Sequence, residues 1–382
     1  MASVLSVRIA TTGEEVHSLL RYLREGALSA ERDPWFSSYE WLSSWWECFG
    51  DEREPFAVAV LDGERPVALA PLCVGPKRML GLRMRALQFI GGSDSDYADM
   101  VVAPEGREEA IAKLAANLAE QRGMWEIAEL LHVRCDSPNL HPLLGSLRKL
   151  GYLTVLAFWK VSPYVAIKGD FQEYLGRLSK NHQYDLRRKE RRLHSAGPIR
   201  FRILGAADPD VRGHFEQFWE MRRARLAQAG RPQLYDECRH RALYWKLLER
   251  SEPGHGVHFS VLLCGERPIA YHFGFIAGKK LYYYTPTFDP EFHPFSPGKL
   301  LIKYLLADAF GRGCEEFDFL LGEEPYKYAW TSHSRGVCNL FVLPRTVRGI
   351  ALYLWFGRVK PALKRQAWLV RLVRSVRGEK RA

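Results

Sequence analysis

Pro55-Phe56-Ala57-Val58-Ala59-Val60-Leu61-Asp62-Gly63-Glu64-Arg65-Pro66-Val67-Ala68-Leu69-Ala70 reads as two short apolar strands joined by a tight turn, with Asp62-Gly63 as the hairpin signal. The same sentence returns as Val257-His258-Phe259-Ser260-Val261-Leu262-Leu263-Cys264-Gly265-Glu266-Arg267-Pro268-Ile269-Ala270-Tyr271, where Gly265 supplies the matching positive-φ residue. The order of elements after each hairpin also agrees. The first copy continues with a predicted strand (Ala86 to Ile90), a helix (Glu105 to Arg122) and a strand (Trp125 to Val133); the second with a strand (Lys280 to Thr285), a helix (Gly298 to Arg312) and a strand (Glu315 to Leu320). Both helices end before a glycine, Gly123 and Gly313, as helix C-termini often do. Chance does not usually repeat both a turn and an order of elements, so the chain is read as two copies of one α/β module.

Between the copies, Phe171 to Leu193 has apolar residues at 171, 175, 178, 186 and 193, the spacing of one long helix, with Arg177, Lys180, Arg187, Arg188, Lys189, Arg191 and Arg192 on its outer face. Two further helical stretches come next, about Val211 to Ala229 and Leu234 to Arg250. Ahead of the first hairpin, Trp35, Phe36, Tyr39, Trp41, Trp45, Trp46 and Phe49 form an aromatic cluster expected in a core.

The 382 residues, 47% hydrophobic and 26% charged, suffice for two or three domains and exclude collagen, coiled coil and wholesale disorder. No apolar run approaches the ~20 residues that span a bilayer, and the first residues lack the pattern of a cleaved secretion signal, so the expected location is cytoplasmic. Seven scattered cysteines without a Cys-x-x-Cys argue for reduced thiols and against a zinc site. The formal charge of +11 sits almost entirely at the end: from Arg345 to Ala382 eleven Lys/Arg face one acid, Glu379. The body is nearly neutral, so nucleic acid is not the expected partner. The tail mixes those cations with Leu352, Leu354, Trp355, Phe356, Trp368 and Leu369, and Pro361 is expected to divide it into two short helices. That composition suits peripheral contact with an anionic membrane; the other reading is a helix packed on the body with a solvated basic rim.

One helix start stands out. In Phe295-Ser296-Pro297-Gly298-Lys299-Leu300, Ser296 suits the N-cap, Pro297 the first helical position, and Gly298 lets a ligand approach the backbone. Free N–H groups there bind phosphate oxygens, and Lys299 adds a charge. The first copy has Pro104-Glu105-Gly106-Arg107-Glu108-Glu109 at the same place, and its three carboxylates would repel a diphosphate. A phosphorylated ligand therefore belongs to the second copy. An ordinary capped helix is the alternative, and the stretch is not a P-loop.

Together with these residues, Trp41-Leu42-x-x-Trp45-Trp46, Ser179-Lys180-Asn181, Arg187-Arg188, Tyr271-His272-Phe273, Tyr282-Tyr283-Tyr284, Phe288-Asp289-Pro290, Phe317-Asp318-Phe319-Leu320-Leu321-Gly322 and Tyr326-Lys327-x-x-Trp330 make a pattern that resembles the Gcn5-related N-acetyltransferase (GNAT) superfamily. Within it the likeness is to the CelD-type and BioF2-like acetyltransferase group, relatives of the FemABX aminoacyl transferases, over roughly Trp35 to Leu340. The resemblance implies an α/β (α+β) fold of tandem GNAT-like domains, each a mixed sheet flanked by helices. It divides the chain into residues 1–165, degenerate and without cofactor; 166–344, catalytic; and the basic helical tail 345–382. It also implies acetyl-CoA or another acyl-CoA as co-substrate, its diphosphate at Ser296, Pro297, Gly298, Lys299 and Leu300, with no metal. The family's usual Arg/Gln-x-x-Gly-x-Gly/Ala loop is reduced here to Phe295-Ser296-Pro297-Gly298-Lys299.

Acyl transfer to an amine needs a base, donors for the oxyanion and an acid for the leaving thiolate. Glu323 or Asp318 is the candidate base and Tyr284 or Tyr326 the acid; His272 lies on a strand nearby, and Lys327 would pair with an anionic part of the acceptor. Trp330, Lys180 and Asn181 complete the candidate acceptor site. Each has a plainer reading: a capped or paired Asp318, a core His272, β-propensity for the three tyrosines. The leading function is N-acyl transfer to an amino sugar or other small amine in polysaccharide or envelope synthesis. The alternatives are FemABX-like transfer from charged tRNA, with the basic helix as channel wall, and a non-catalytic module docked at a membrane through its tail.

Overall fold

The computed structural model describes residues 5–28, 34–228, 237–252 and 254–363. Strand β1 (Leu5–Ile9) leads through α1 (Gly13–Arg24) to α2 (Tyr39–Phe49). The first copy gives β2 (Glu54–Pro55), β3 (Val58–Asp62), β4 (Arg65–Ala70), β5 (Leu72–Met79), β6 (Leu82–Phe89), β7 (Val101–Val102), α3 (Arg107–Glu120) and β8 (Ile127–Arg134). Next come α4 (Leu140–Lys149), the long β9 (Leu153–Ala166), α5 (Phe171–Arg177), α6 (Lys180–Ala196), β10 (Ile199–Leu204), α7 (Val211–Gln228) and α8 (Glu237–Glu249). The second copy is β11 (Gly256–Cys264), β12 (Arg267–Ala277), β13 (Lys280–Phe288), α9 (Pro297–Gly311) and β14 (Glu316–Asp318); α10 (Pro325–Tyr328), β15 (Ser334–Leu343) and α11 (Val347–Leu354) complete the order.

Contacts gather the chain into two units that are not contiguous in sequence: residues 1–29, 52–159 and 337–382 in one, 30–51 and 160–336 in the other. In the first unit β1-β3-β4-β7 form an antiparallel sheet, and β15-β8-β6-β5-β2 a second in which only β6 and β8 run parallel. In the second unit the order is β10-β11-β12-β13-β14-β9, with β13 and β14 the parallel pair. The duplication is recognisable strand by strand. The counterpart of β12 is broken at Pro71 into β4 and β5, and that of β13 is interrupted between β6 and β7. Each sheet takes its last strand from the far half of the sequence: β8 pairs with residues 337–342 of β15, and β14 with residues 164–166 of β9.

The aromatic cluster is core, as expected: Trp35, Phe36, Trp41, Trp45 and Trp46 are buried, and Trp35 stacks on Phe275 with ring centroids 4.5 Å apart. These residues lie in the second unit, where α2 is also pinned to α8 by Glu47 with Lys246 and Arg250. The helix expected over 171–193 is two helices. Ser179 caps α6 by accepting from the His182 N–H (3.3 Å), and the chain turns at Leu178. Pro361 does not divide the tail: after α11 the backbone widens into a π turn over Trp355–Val359 and stays helical to residue 363, a way to carry a proline whose ring would clash with a regular turn. Trp368, Leu369 and the rest of the tail lie outside the described residues. Two residues after α9, Gly313 has a φ of 67°, in the left-handed region, while Gly123 after α3 has no such conformation.

Candidate active site

Strands β13 and β14 pair only over Lys280–Glu316, Leu281–Phe317 and Tyr282–Asp318 and then part. Leu320 takes a left-handed φ of 58° just past β14 and turns the chain away, the Phe319 N–H bonding to Pro163 and the Gly322 N–H to Val161. The second half of β13 therefore has a neighbour on one side only. Pro286, which has no N–H to offer, sits in this half-paired stretch, where proline is tolerated.

A cavity of about 210 Å³ fills the opening, floored by Tyr283, Pro286, Thr287 and Phe288 of β13 and closed by Ser296, Pro297, Gly298, Lys299 and Ile302 of α9. Arg225 of α7, His293, Tyr326 and Trp330 complete its wall. It is smaller than the ~300–1,000 Å³ pockets that enclose a whole small ligand, and so suits part of an extended one. Among the described residues no carboxylate lines it.

Three groups point to what the cavity takes. The Arg225 guanidinium lies over the Phe288 ring (4.5 Å) and donates to the Pro286 carbonyl (3.2 Å), with no carboxylate partner among the described residues. Thr287 is 1% exposed and its Oγ1 has no hydrogen bond. The Gly298 N–H, in the first turn of α9, has no backbone partner among the described residues. Nothing in the fold demands a glycine there: an added Cβ would meet Phe288 Cδ1 at 3.4 Å, an ordinary contact, and the backbone is not left-handed. Unsatisfied donors, a guanidinium with no counter-charge among the described residues and the positive end of a fifteen-residue helix are a combination that suits an anion.

Of the residues singled out in sequence, Ser296, Pro297, Gly298, Lys299, Tyr326 and Trp330 come together around this cavity. Two of them differ in detail. Ser296 makes no side-chain cap; it adopts φ 55°, and its carbonyl accepts from the Lys299 and Leu300 N–H groups. The Lys299 ammonium pairs with Asp185 of α6 at 2.6 Å, and Lys299 with Arg188 holds the Asp185 carboxyl down to about 2. Leu300 is fully buried in the core beneath the helix and does not face the cavity.

The remaining candidates lie elsewhere. His272 is fully buried and stacked on Tyr283 (5.1 Å), with the Tyr282 carbonyl beside its ring. Burial, reinforced by His258 nearby, holds its pKa well below the ordinary value, so it stays neutral. Tyr284 points to the opposite face of β13, against Phe275 (5.0 Å) and Trp41 (6.0 Å). Asp318 is wholly buried, its Oδ1 accepting from the Leu320 N–H (2.7 Å) and its Oδ2 3.5 Å from Arg335. Lys327 is 3% exposed, and its ammonium donates to the Leu320, Leu321 and Gly322 carbonyls and pairs with Glu324 at 2.9 Å. It clamps the turn after β14. Glu323 lies exposed on that turn, and Lys180 and Asn181 are exposed at the start of α6. Next to them His182 packs edge-on against Trp330 (4.6 Å).

Sequence reasoning missed Tyr283, Thr287, Arg225 and His293. Strand alternation could have found the first: Leu281 and Tyr283 face α9, and Tyr284 cannot. Tyr326 is 42% exposed as a residue, but desolvation of its hydroxyl, with Glu324 next, raises the phenol above its ordinary value and keeps it protonated. Among the described residues no group of three or more His, Cys, Asp or Glu is placed to hold a metal ion, and no helix is long and apolar enough to cross a membrane.

Residues 180–328 match the family model of an acetyltransferase (GNAT) domain. The fold extends this: a crystal structure of FemX superposes with a TM-score of 0.60 at 12% identity, over 88% of this chain and 96% of that one. The C-terminal domain of a putative lysylphosphatidylglycerol synthetase from Agrobacterium fabrum gives 0.52 at 13% identity, over 89% and 95%. L-PGS from Bacillus licheniformis gives 0.53 at 12%, over 93% and 97%. No protein of curated function matches the sequence. Residues 180–328 thus carry a GNAT-type acetyltransferase domain, and the chain shares its fold with FemX. It is a transferase, and the group it moves is an acyl group.

Proposed function

We propose that the chain is an acyl-CoA-dependent N-acyltransferase of the CelD-type and BioF2-like group, acting on an amine of a sugar or other small metabolite in polysaccharide or cell-envelope synthesis. The observation that carries the reading is the cavity where β13 leaves β14, with Gly298, Thr287 and Arg225 all short of partners. Bound there, acyl-CoA would supply an acyl carbon already activated as a thioester, with a thiol to leave. Arg225 and the Gly298 N–H would hold the diphosphate oxygens. The half-paired edge of β13 would offer backbone N–H groups to the oxyanion. Tyr326, kept protonated, would give its proton to the leaving sulfur. Glu323, on the exposed turn beside Tyr326 rather than in the cavity wall, would serve as base and take a proton from the acceptor ammonium before attack, since Asp318 is committed to Arg335 and the Leu320 N–H. Trp330 and Tyr283 would pack against the acceptor.

Two observations favour a second reading, aminoacyl transfer from charged tRNA: the solved structures sharing the fold include FemX and a putative lysylphosphatidylglycerol synthetase, and α6 exposes Arg187 and Arg191 without partners among the described residues. The donor separates the two. The purified chain is expected to release free thiol from acetyl-CoA in the presence of amino-sugar or polyamine acceptors and not without them. Tyr326→Phe should lower that rate by about 10²-fold or more while leaving CoA binding intact. Release from no acyl-CoA, together with transfer from aminoacyl-tRNA, would replace the first reading by the second.

A further inference from the structure

Exposed large hydrophobic side chains are concentrated in the first unit. Leu80, Leu82, Phe158, Val347, Ile350 and Leu354 are 42–87% exposed there, whereas the described residues of the second unit expose only tyrosines of this size. The elements that carry them share a core: Met79 and Met84 of the β5–β6 hairpin, Val155 of β9, and Leu352 and Phe356 after β15 pack together. Helix α11 buries Leu352 in that core and turns Val347, Ile350 and Leu354, spaced by three and four, outward as one stripe.

The hairpin tip is built against its own conformational preference. Met79 pairs with Leu82, and the two residues between, Leu80 and Gly81, have φ of 49° and 81°. Such a turn favours asparagine, aspartate or glycine at its first central position. A leucine there carries a steric cost, and at 54% exposure no packing explains it.

Charge around this face indicates what covers it. Arg78 and Arg83 flank the two leucines and Arg358 comes after α11, none with a carboxylate partner among the described residues, and residues 76–85 and 344–363 contain no Asp or Glu. A two-fold contact with a second copy would set these arginines against themselves, and a nucleic acid would make no use of the leucines. We propose that the first unit docks on the surface of a bilayer containing anionic phospholipid, with Leu80, Leu82 and the outer stripe of α11 in the headgroup–acyl boundary and the arginines at the phosphates. The described part of the chain lies on the membrane and does not span it. This inference goes beyond the transferase reading and stands without it.

The test is sedimentation of the full chain with vesicles of phosphatidylglycerol and phosphatidylcholine in equal parts, and with phosphatidylcholine alone. Binding is expected to the anionic vesicles only and to weaken with salt. Leu80→Asn with Leu82→Asn should weaken it by on the order of tenfold or more, while the thermal midpoint stays level or rises, since asparagine suits the turn. Arg78→Glu with Arg83→Glu should weaken it as well. Equal binding to neutral vesicles, no binding at low salt, or undiminished binding by the asparagine variant would overturn the proposal.

Discussion

Gly298→Asp is expected to weaken acyl-CoA binding by about 100-fold while leaving the fold as stable as before. The new Cβ would sit 3.4 Å from Phe288 Cδ1, so the core need not move. A carboxylate in the first turn of α9 complements the helix dipole and is worth roughly 0.3–1 kcal/mol in favour of the folded chain. The same charge would lie where diphosphate oxygens approach, replacing attraction to the helix end and Arg225 by repulsion. A loss of ~3 kcal/mol corresponds to two powers of ten in affinity. Urea unfolding and calorimetric titration with CoA check the two halves separately. A folded variant that binds CoA as well as the wild type would remove α9 from the account. The first copy already carries this pattern: Glu108 and Glu109 occupy the first turn of α3.

Asp318→Ala should lower stability by about 3 kcal/mol, because it strips a fully buried carboxylate from Arg335, whose side chain is itself 8% exposed, and frees Leu320 from the hydrogen bond that holds its left-handed turn. Glu316 still pairs with Arg335 and limits the damage. Asp318→Asn separates structure from chemistry. The amide keeps an acceptor for the Leu320 N–H but loses the charge, so the thermal midpoint should fall while kcat of the folded fraction stays within a few-fold. If Asp318 were the base, the asparagine variant would lose about 10²-fold or more in kcat.

Much of this architecture was legible because the two hairpins carry their signal locally: apolar runs on both sides of Asp62-Gly63 and Cys264-Gly265, then the same order of strand, helix and strand. The part that was not legible is long-range. No local pattern tells that Trp35 to Phe49 packs with the second unit, that residues 337–342 complete the sheet of β8, or that the apparent helix 171–193 turns at Leu178. The candidate site shows the same division. Ser296 to Lys299 could be chosen from the chemistry of a helix start, but the fate of each charge depended on partners far along the chain: Asp185 for Lys299, Arg335 for Asp318, three carbonyls and Glu324 for Lys327. Arg225 was hidden among the four arginines of α7, and only its place in the cavity wall, over Phe288, distinguishes it. Tyr284 was preferred to Tyr283 because the triple tyrosine conceals which residue faces α9.

The claim on which the rest depends is that the opening between β13 and β14 receives the acyl donor. Hydrogen exchange of the backbone amides with and without saturating CoA tests it directly. The account predicts slowed exchange confined to residues 283–288 of β13 and 298–300 of α9, with no change in the corresponding first turn of α3 at 107–109. Protection at α3, or none at β13 and α9 when calorimetry shows CoA bound, would contradict it.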